Sequence, residues 1–146
     1  MMRRIKAMGG EAGQSLVELA LTLPMLLLLV LGTVDLGLGF KTYIALTNAA
    51  REGVRWISIH PDDPAGALAR VNAETERIGL LYGDIGSDSD YTVNFSPLKD
   101  AYSAGEEVTV TIQYDYELLF GAITGLPSIP FSAHATMMVL YDPPAP

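Results

Sequence analysis

From Leu19 to Val34 the chain runs for sixteen residues, LALTLPMLLLLVLGTV, without a single charge. With Gln14–Glu18 and Asp35 as flanks, the stretch reaches roughly the 20 residues that a ~30 Å hydrocarbon core requires of a helix. A soluble protein could own such a helix only by surrounding it. The chain that follows, about 100 residues from Lys41 onward, is near the size at which one modest core suffices, too little to wrap this segment on all sides. The expectation is a single membrane span. Arg3, Arg4 and Lys6 precede it and an acidic domain follows, which favours an N-terminus inside and a C-terminal domain outside.

Charge sharpens that division. The 146 residues carry 17 acidic and 9 basic side chains, a formal net charge of −8. Residues 1–13 hold Arg3, Arg4, Lys6 and Glu11, a net of +2, so the rest of the chain carries −10. A body that acidic lacks the clustered Lys and Arg with which proteins meet nucleic acid. There is no cysteine, which removes disulfides and thiolate metal sites, and only two histidines, His60 and His134. No Ser-His-Asp or Cys-His set is visible. The one partial G-x-G, Gly37 and Gly39, continues the apolar helix and does not follow a strand as a nucleotide loop must. Neither an enzyme nor a cofactor-binding protein is expected.

Some residues in the span are odd for a plain anchor. Glu18 lies about one turn into it, where a carboxylate costs on the order of 2.5–3.5 kcal/mol on insertion scales. Pro24 removes one helical hydrogen bond and crowds the carbonyl four residues back, so a kink is expected there. Gly32, Gly37 and Gly39 each weaken a helix by up to about 1 kcal/mol relative to Ala. Asp35 reads as a residue at the outer boundary.

A short basic leader ending in Gly13, then Gln14-Ser15-Leu16-Val17-Glu18 and a long apolar helix, resembles a type IV-pilin-like prepilin. More narrowly, GQSLVELALTLPMLLLLVLGTVDLG followed by LTNAAREGVR resembles the TadE-like proteins of tight-adherence (Tad) pilus systems. The residues that carry the resemblance are Gly13, Val17, Glu18, Ala20, Leu21, Pro24, Asn48, Ala49, Ala50, Arg51, Glu52, Gly53 and Arg55. It implies cleavage by a prepilin peptidase between Gly13 and Gln14, which leaves Glu18 as the fifth residue of the mature chain. The implied partners are other pilin subunits and the pilus assembly machinery. Gln14 stands where many type IVa pilins have Phe, and Glu18-Leu19 replaces the Glu-Tyr pair of the short major Flp pilins. These departures, with the chain's length, point to a larger TadE-like minor pilin or pseudopilin. The new ammonium group at Gln14 could be neutralised by Glu18 of a neighbouring subunit, since a buried charge is tolerated when paired.

The remaining chain reads as α+β. Lys41–Ile59 extends the helix, with Tyr43/Ile44, Leu46/Thr47, Ala50, Val54 and Ile57 on one stripe of period 3.6. Arg51, Glu52 and Arg55 form either a subunit contact or solvent-facing charges beside a small residue where another element packs closely. His60-Pro61 ends the helix; Asp63-Pro64 reads as N-cap and first residue of a second one, ending near Gly79–Gly83. Asp84, Asp88 and Asp90 faintly suggest a calcium loop, but the order of ligands is wrong and the distal Glu is missing. Three alternating segments, Tyr91–Phe95, Val108–Tyr116 and Phe131–Tyr141, predict an antiparallel sheet with one buried face. The apolar link Leu118–Pro130 either marks a contact site or folds back onto the core.

The expected organisation is a basic prepilin-type leader at 1–13, a transmembrane helix half at 14–40, and an extracytoplasmic pilin-like domain at 41–146, with the sheet packed on the long helix. Two other functions fit these residues: a membrane-tethered adhesive or binding module that never polymerises, and the principal subunit of its own filament.

Overall fold

The structure is a computed structural model and describes residues 10–82 and 91–143. Its elements are α1 (Gly10–Ile59), α2 (Pro64–Tyr82), β1 (Tyr91–Ser96), β2 (Glu107–Glu117), the single turn α3 (Gly121–Thr124) and β3 (Ser128–Met138). The acidic loop with Asp84, Asp88 and Asp90 lies outside the described residues. As the sequence leads one to expect, a long N-terminal helix, a short second helix and a three-stranded antiparallel sheet against α1 make up the molecule.

α1 is one uninterrupted helix of 50 residues, about 75 Å at 1.5 Å per residue. It ends at Ile59 because Pro61 excludes His60 from helical geometry. The chain re-enters a helix through Asp63, whose Oδ1 accepts from the amide of Gly66 at 2.8 Å. That bond satisfies one of the free donors of the first turn, and Pro64 follows at the position where proline costs nothing.

The sheet has the order β1-β2-β3, with β2 central. Its inward rows are set by register: Val93, Ile112 and Ala133 lie side by side, as do Phe95, Val110 and Ala135, and Tyr91, Tyr114 and Phe131. Thr109, Thr111 and Gln113 alternate with them on the outward face. This period-2 pattern follows from pleating alone. β3 begins at Ser128, three residues before the alternation that marks it in the sequence, and takes in Pro130 opposite Asp115. Proline is tolerated there because β3 is an edge strand and needs no donor on its open side.

The core forms where the sheet meets α1 and α2. Leu46, Val54, Ile57, Val71, Val108, Val110 and Ile112 are fully buried, each worth about 1.5–3 kcal/mol relative to exposure. Tyr102, in the β1–β2 link, closes one end; its hydroxyl donates to the Pro97 carbonyl at 2.9 Å and its amide to that of Pro61 at 3.0 Å. The buried stripe on α1 differs in part from the one the periodicity suggests. Tyr43 and Ile44 stay about half exposed, whereas Thr42, Ala49 and Gly53 are buried. Apolar periodicity marks large side chains, and here the tightest contacts are made by small ones.

Candidate functional site

α1 divides into two halves of opposite character. In the single chain every residue from Gly13 to Val30 is exposed, and the apolar run is long enough by length and composition to cross a membrane. Leu21, Met25 and Leu29, for example, are each at least two-thirds exposed. So many uncovered apolar side chains on one element mark a surface meant for lipid or another protein.

The expected processing and assembly residues all lie on this exposed half. Gly13 has open space around it, with no atom within 4 Å of where a Cβ would stand. One turn separates Gln14 from Glu18, and the Gln14 amide donates to Glu18 Oε1 at 3.1 Å. Glu18 thus sits on an apolar rod with Gln14 of its own chain as a partner. Pro24 lies inside α1 without ending it; it cannot donate to the carbonyl of Ala20. Just upstream, the Thr22 hydroxyl donates to the Glu18 carbonyl at 2.9 Å.

Asp35 is where the two halves meet, and sequence reading undervalues it. It is 5 % exposed. Its Oδ1 accepts from the Leu119 amide at 3.0 Å and its Oδ2 from the Phe120 amide at 3.4 Å. Its backbone carbonyl accepts from the Tyr116 hydroxyl at 3.4 Å. The carboxylate therefore clasps the link between β2 and β3 to the helix. Burial, reinforced by the Asp35 charge, pushes the Tyr116 hydroxyl above the ordinary tyrosine range. No charged residue stands three or four places away from Asp35 on α1, and its partners Tyr116, Leu119 and Phe120 come from the β2–β3 region.

Just beyond Asp35, Gly39 lets the sheet approach. A Cβ there would stand 3.3 Å from the Phe131 ring and 3.4 Å from that of Tyr116, and those two rings are stacked with centroids 5.4 Å apart. Helix, clasp and aromatic pair together fix the end of the sheet nearest the apolar run.

Arg51, Glu52 and Arg55 lie on the C-terminal half. Glu52 takes Arg55 at 3.4 Å and, from α2, Arg70 at 4.0 Å. Between the two arginines, Gly53 is buried, and a Cβ would come 2.5 Å from Val71 of α2. Ala49 and Ala50 are fully buried beside it. The Asn48–Arg55 segment is thus a seat for close packing flanked by exposed charge. Arg51 and Arg55 remain exposed, but Glu52 is engaged within the chain. Sequence reasoning did not anticipate the neighbouring cluster. Arg70 lies over the Trp56 ring at 4.4 Å, the His60 ring stacks on it with centroids 4.0 Å apart, and the Trp56 indole donates to Asp63 Oδ2 at 3.1 Å. The Gly66 amide first, and then this indole, hold the Asp63 carboxyl below the ordinary carboxylate range. Among the described residues no group of three or more His, Cys, Asp or Glu could hold a metal ion.

Residues 13–55 match the model of the family described as TadE-like protein. The match lies wholly on α1, runs from Gly13 through Asp35 to Arg55, and leaves α2 and the sheet outside it. No curated protein and no solved structure matches the chain.

Proposed function

From the match of residues 13–55 to the TadE-like family model, we propose that this chain is a prepilin-type minor subunit, or pseudopilin, of a tight-adherence pilus. The family implies a role in Tad pilus biogenesis. In this reading a prepilin peptidase removes residues 1–13, cutting between Gly13 and Gln14. Residues 14–40 hold the subunit in the cell membrane as a single span, with the N-terminus cytoplasmic. Residues 41–146 face outward, where they serve pilus assembly and surface attachment.

The observation that carries the proposal is Glu18 on the exposed apolar half of α1, four residues after Gln14. In a lone span that carboxylate is a liability. In a bundle of such helices, Glu18 of one subunit neutralises the Gln14 ammonium of the next, and the pair fixes the axial register. Arg51 and Arg55, exposed above a tightly packed seat, supply lateral contacts to a neighbouring subunit.

The test is the N-terminal peptide of the protein recovered from cells, read by mass spectrometry with and without prepilin peptidase. We expect a chain beginning at Gln14 only when the peptidase is present. An intact Met1 or Met2 in both cases would favour a permanently tethered binding module instead. The protein should be a small fraction of sheared surface filaments; a dominant share would make it the principal subunit. Glu18→Ala should be cleaved normally yet enter pili less well than wild type, and equal incorporation removes the pairing role.

A further inference from the structure

The link between β2 and β3 is fastened to α1 at Asp35, the residue that follows the apolar run, and it is apolar itself. From Leu118 to Ala133 there is no charged residue. Leu119, Ile123 and Leu126 are 62 %, 68 % and 61 % exposed, although the same link holds its backbone in order. The Leu118 amide donates to the Pro127 carbonyl at 3.0 Å, that of Gly121 to Leu118 at 3.0 Å, and that of Gly125 to Gly121 at 2.9 Å. An ordered turn that displays three large apolar side chains is a built surface. On the adjoining turn of α1, Leu36 and Phe40 are exposed beside it, 73 % and 67 %.

Height along the helix says what this surface meets. From Glu18 to Asp35 the helix climbs about 26 Å at 1.5 Å per residue, close to the thickness of a hydrocarbon core. If the uncharged run spans the bilayer, Asp35 stands at its outer boundary, and the amides of Leu119 and Phe120 stand there with it. At this end of the sheet the charges, Asp115 and Glu117, lie on β2 and not in the link, whereas at the opposite end the link itself is charged. There the β1–β2 link carries Lys99, Asp100 and Glu106, with Lys99 bonded to Glu106.

We propose that the 118–127 link is a second membrane contact, placing Leu119, Ile123 and Leu126 in the outer headgroup and acyl boundary of the bilayer that α1 crosses. The insertion is shallow, of the order of the 5–10 Å typical of interfacial segments. Asp35 makes it possible. Its carboxylate would otherwise draw water to the boundary, and its hydrogen bonds are instead filled by the link it holds down. The sheet domain then rests on the membrane at a fixed height until the subunit leaves the bilayer. This inference rests on α1 being a span.

The absence of cysteine allows a clean test. The full-length chain is reconstituted into phosphatidylcholine vesicles as single-cysteine variants carrying an environment-sensitive fluorophore: Leu28→Cys in the apolar run, Ile123→Cys in the link, and Ser103→Cys at the far end of the sheet. Emission is then compared with and without brominated lipid. Loss of emission at Leu28 and Ile123, with none at Ser103, is the expected result. Loss at Leu28 alone overturns the link proposal and leaves the span standing. No loss at Leu28 overturns the span, and the link proposal with it. Shielding of Ile123 from iodide without quenching by brominated lipid would mean a protein-covered patch and also overturns the proposal.

Discussion

The two halves of α1 have similar side chains and opposite fates. Leu28 and Leu46 are the same residue on the same helix, yet Leu28 is about half exposed and Leu46 is fully buried. Gly32 and Gly53 are likewise both helical glycines; one has open space around it, and the other lies where a methyl group would strike Val71. The difference comes from what the rest of the chain places beside each half. After Val34 the sheet and α2 supply a wall; before it, nothing among the described residues buries the apolar side chains. The N-terminal half is thus organised for a solvent or partner outside the chain, the C-terminal half for its own domain.

The comparison can be tested by pairing equal substitutions across the boundary, with stability read as the urea midpoint of the domain in detergent micelles. Leu46→Ala should cost about 2–5 kcal/mol, the range for emptying a packed site, while Leu28→Ala should leave the midpoint where it was. A similar loss at both positions would mean that the apolar run packs on the domain. Gly53→Ala comes next, at about 1–3 kcal/mol for overpacking, partly offset by the roughly 1 kcal/mol that Ala gains in a helix; Gly32→Ala, like Leu28→Ala, should leave the midpoint where it was.

Asp35→Ala leaves the part-buried amides of Leu119 and Phe120 without their charged acceptor, and a hydrogen bond to a charged group contributes about 1.5–3 kcal/mol. Fast hydrogen exchange at those two amides, with β2 still protected, would identify a clasp that acts locally. The smallest effect is acid sensitivity. The Asp63 and Glu106 carboxyls lie below their ordinary values, Asp63 through the Gly66 amide and Glu106 through the Lys99 ammonium. Carboxyls lowered by folding stabilise the native state above the ordinary carboxylate range and lose that contribution as pH falls below it. The midpoint should therefore decline modestly below about pH 4, and Glu106→Gln should flatten part of the decline.

Features with a local cause were legible in the sequence. The helix from Gly13 to Ile59, its end before Pro61, the cap at Asp63 and the alternation in β2 all depend on residues within a few positions of one another. The Gly53 seat could also be read as one of two alternatives. Asp35 could not, because its partners lie 84 and 85 residues away, and no local pattern distinguishes a boundary carboxylate from a clasp. The start of β3 was hidden by Pro130, which argues against a strand everywhere except at an open edge. The Trp56–Arg70 contact joins two helices that approach closely at Gly53, and helical periodicity does not report rotation about a partner. For the same reason the burial of Gly39 escaped notice: in sequence it is only a weak helix residue, and its use appears when Phe131 and Tyr116 arrive from the sheet.

Val34, the last residue of the apolar run, and Asp35, the first that the domain grips, are adjacent on one unbroken helix. No hinge residues lie between them to absorb motion. A pull on the domain is therefore a pull on the apolar rod, and a rotation of the rod by one residue step, about 100°, turns the sheet through the same angle. Subunits joined through such rods must fix the azimuth of every sheet domain at the moment the rods find their register.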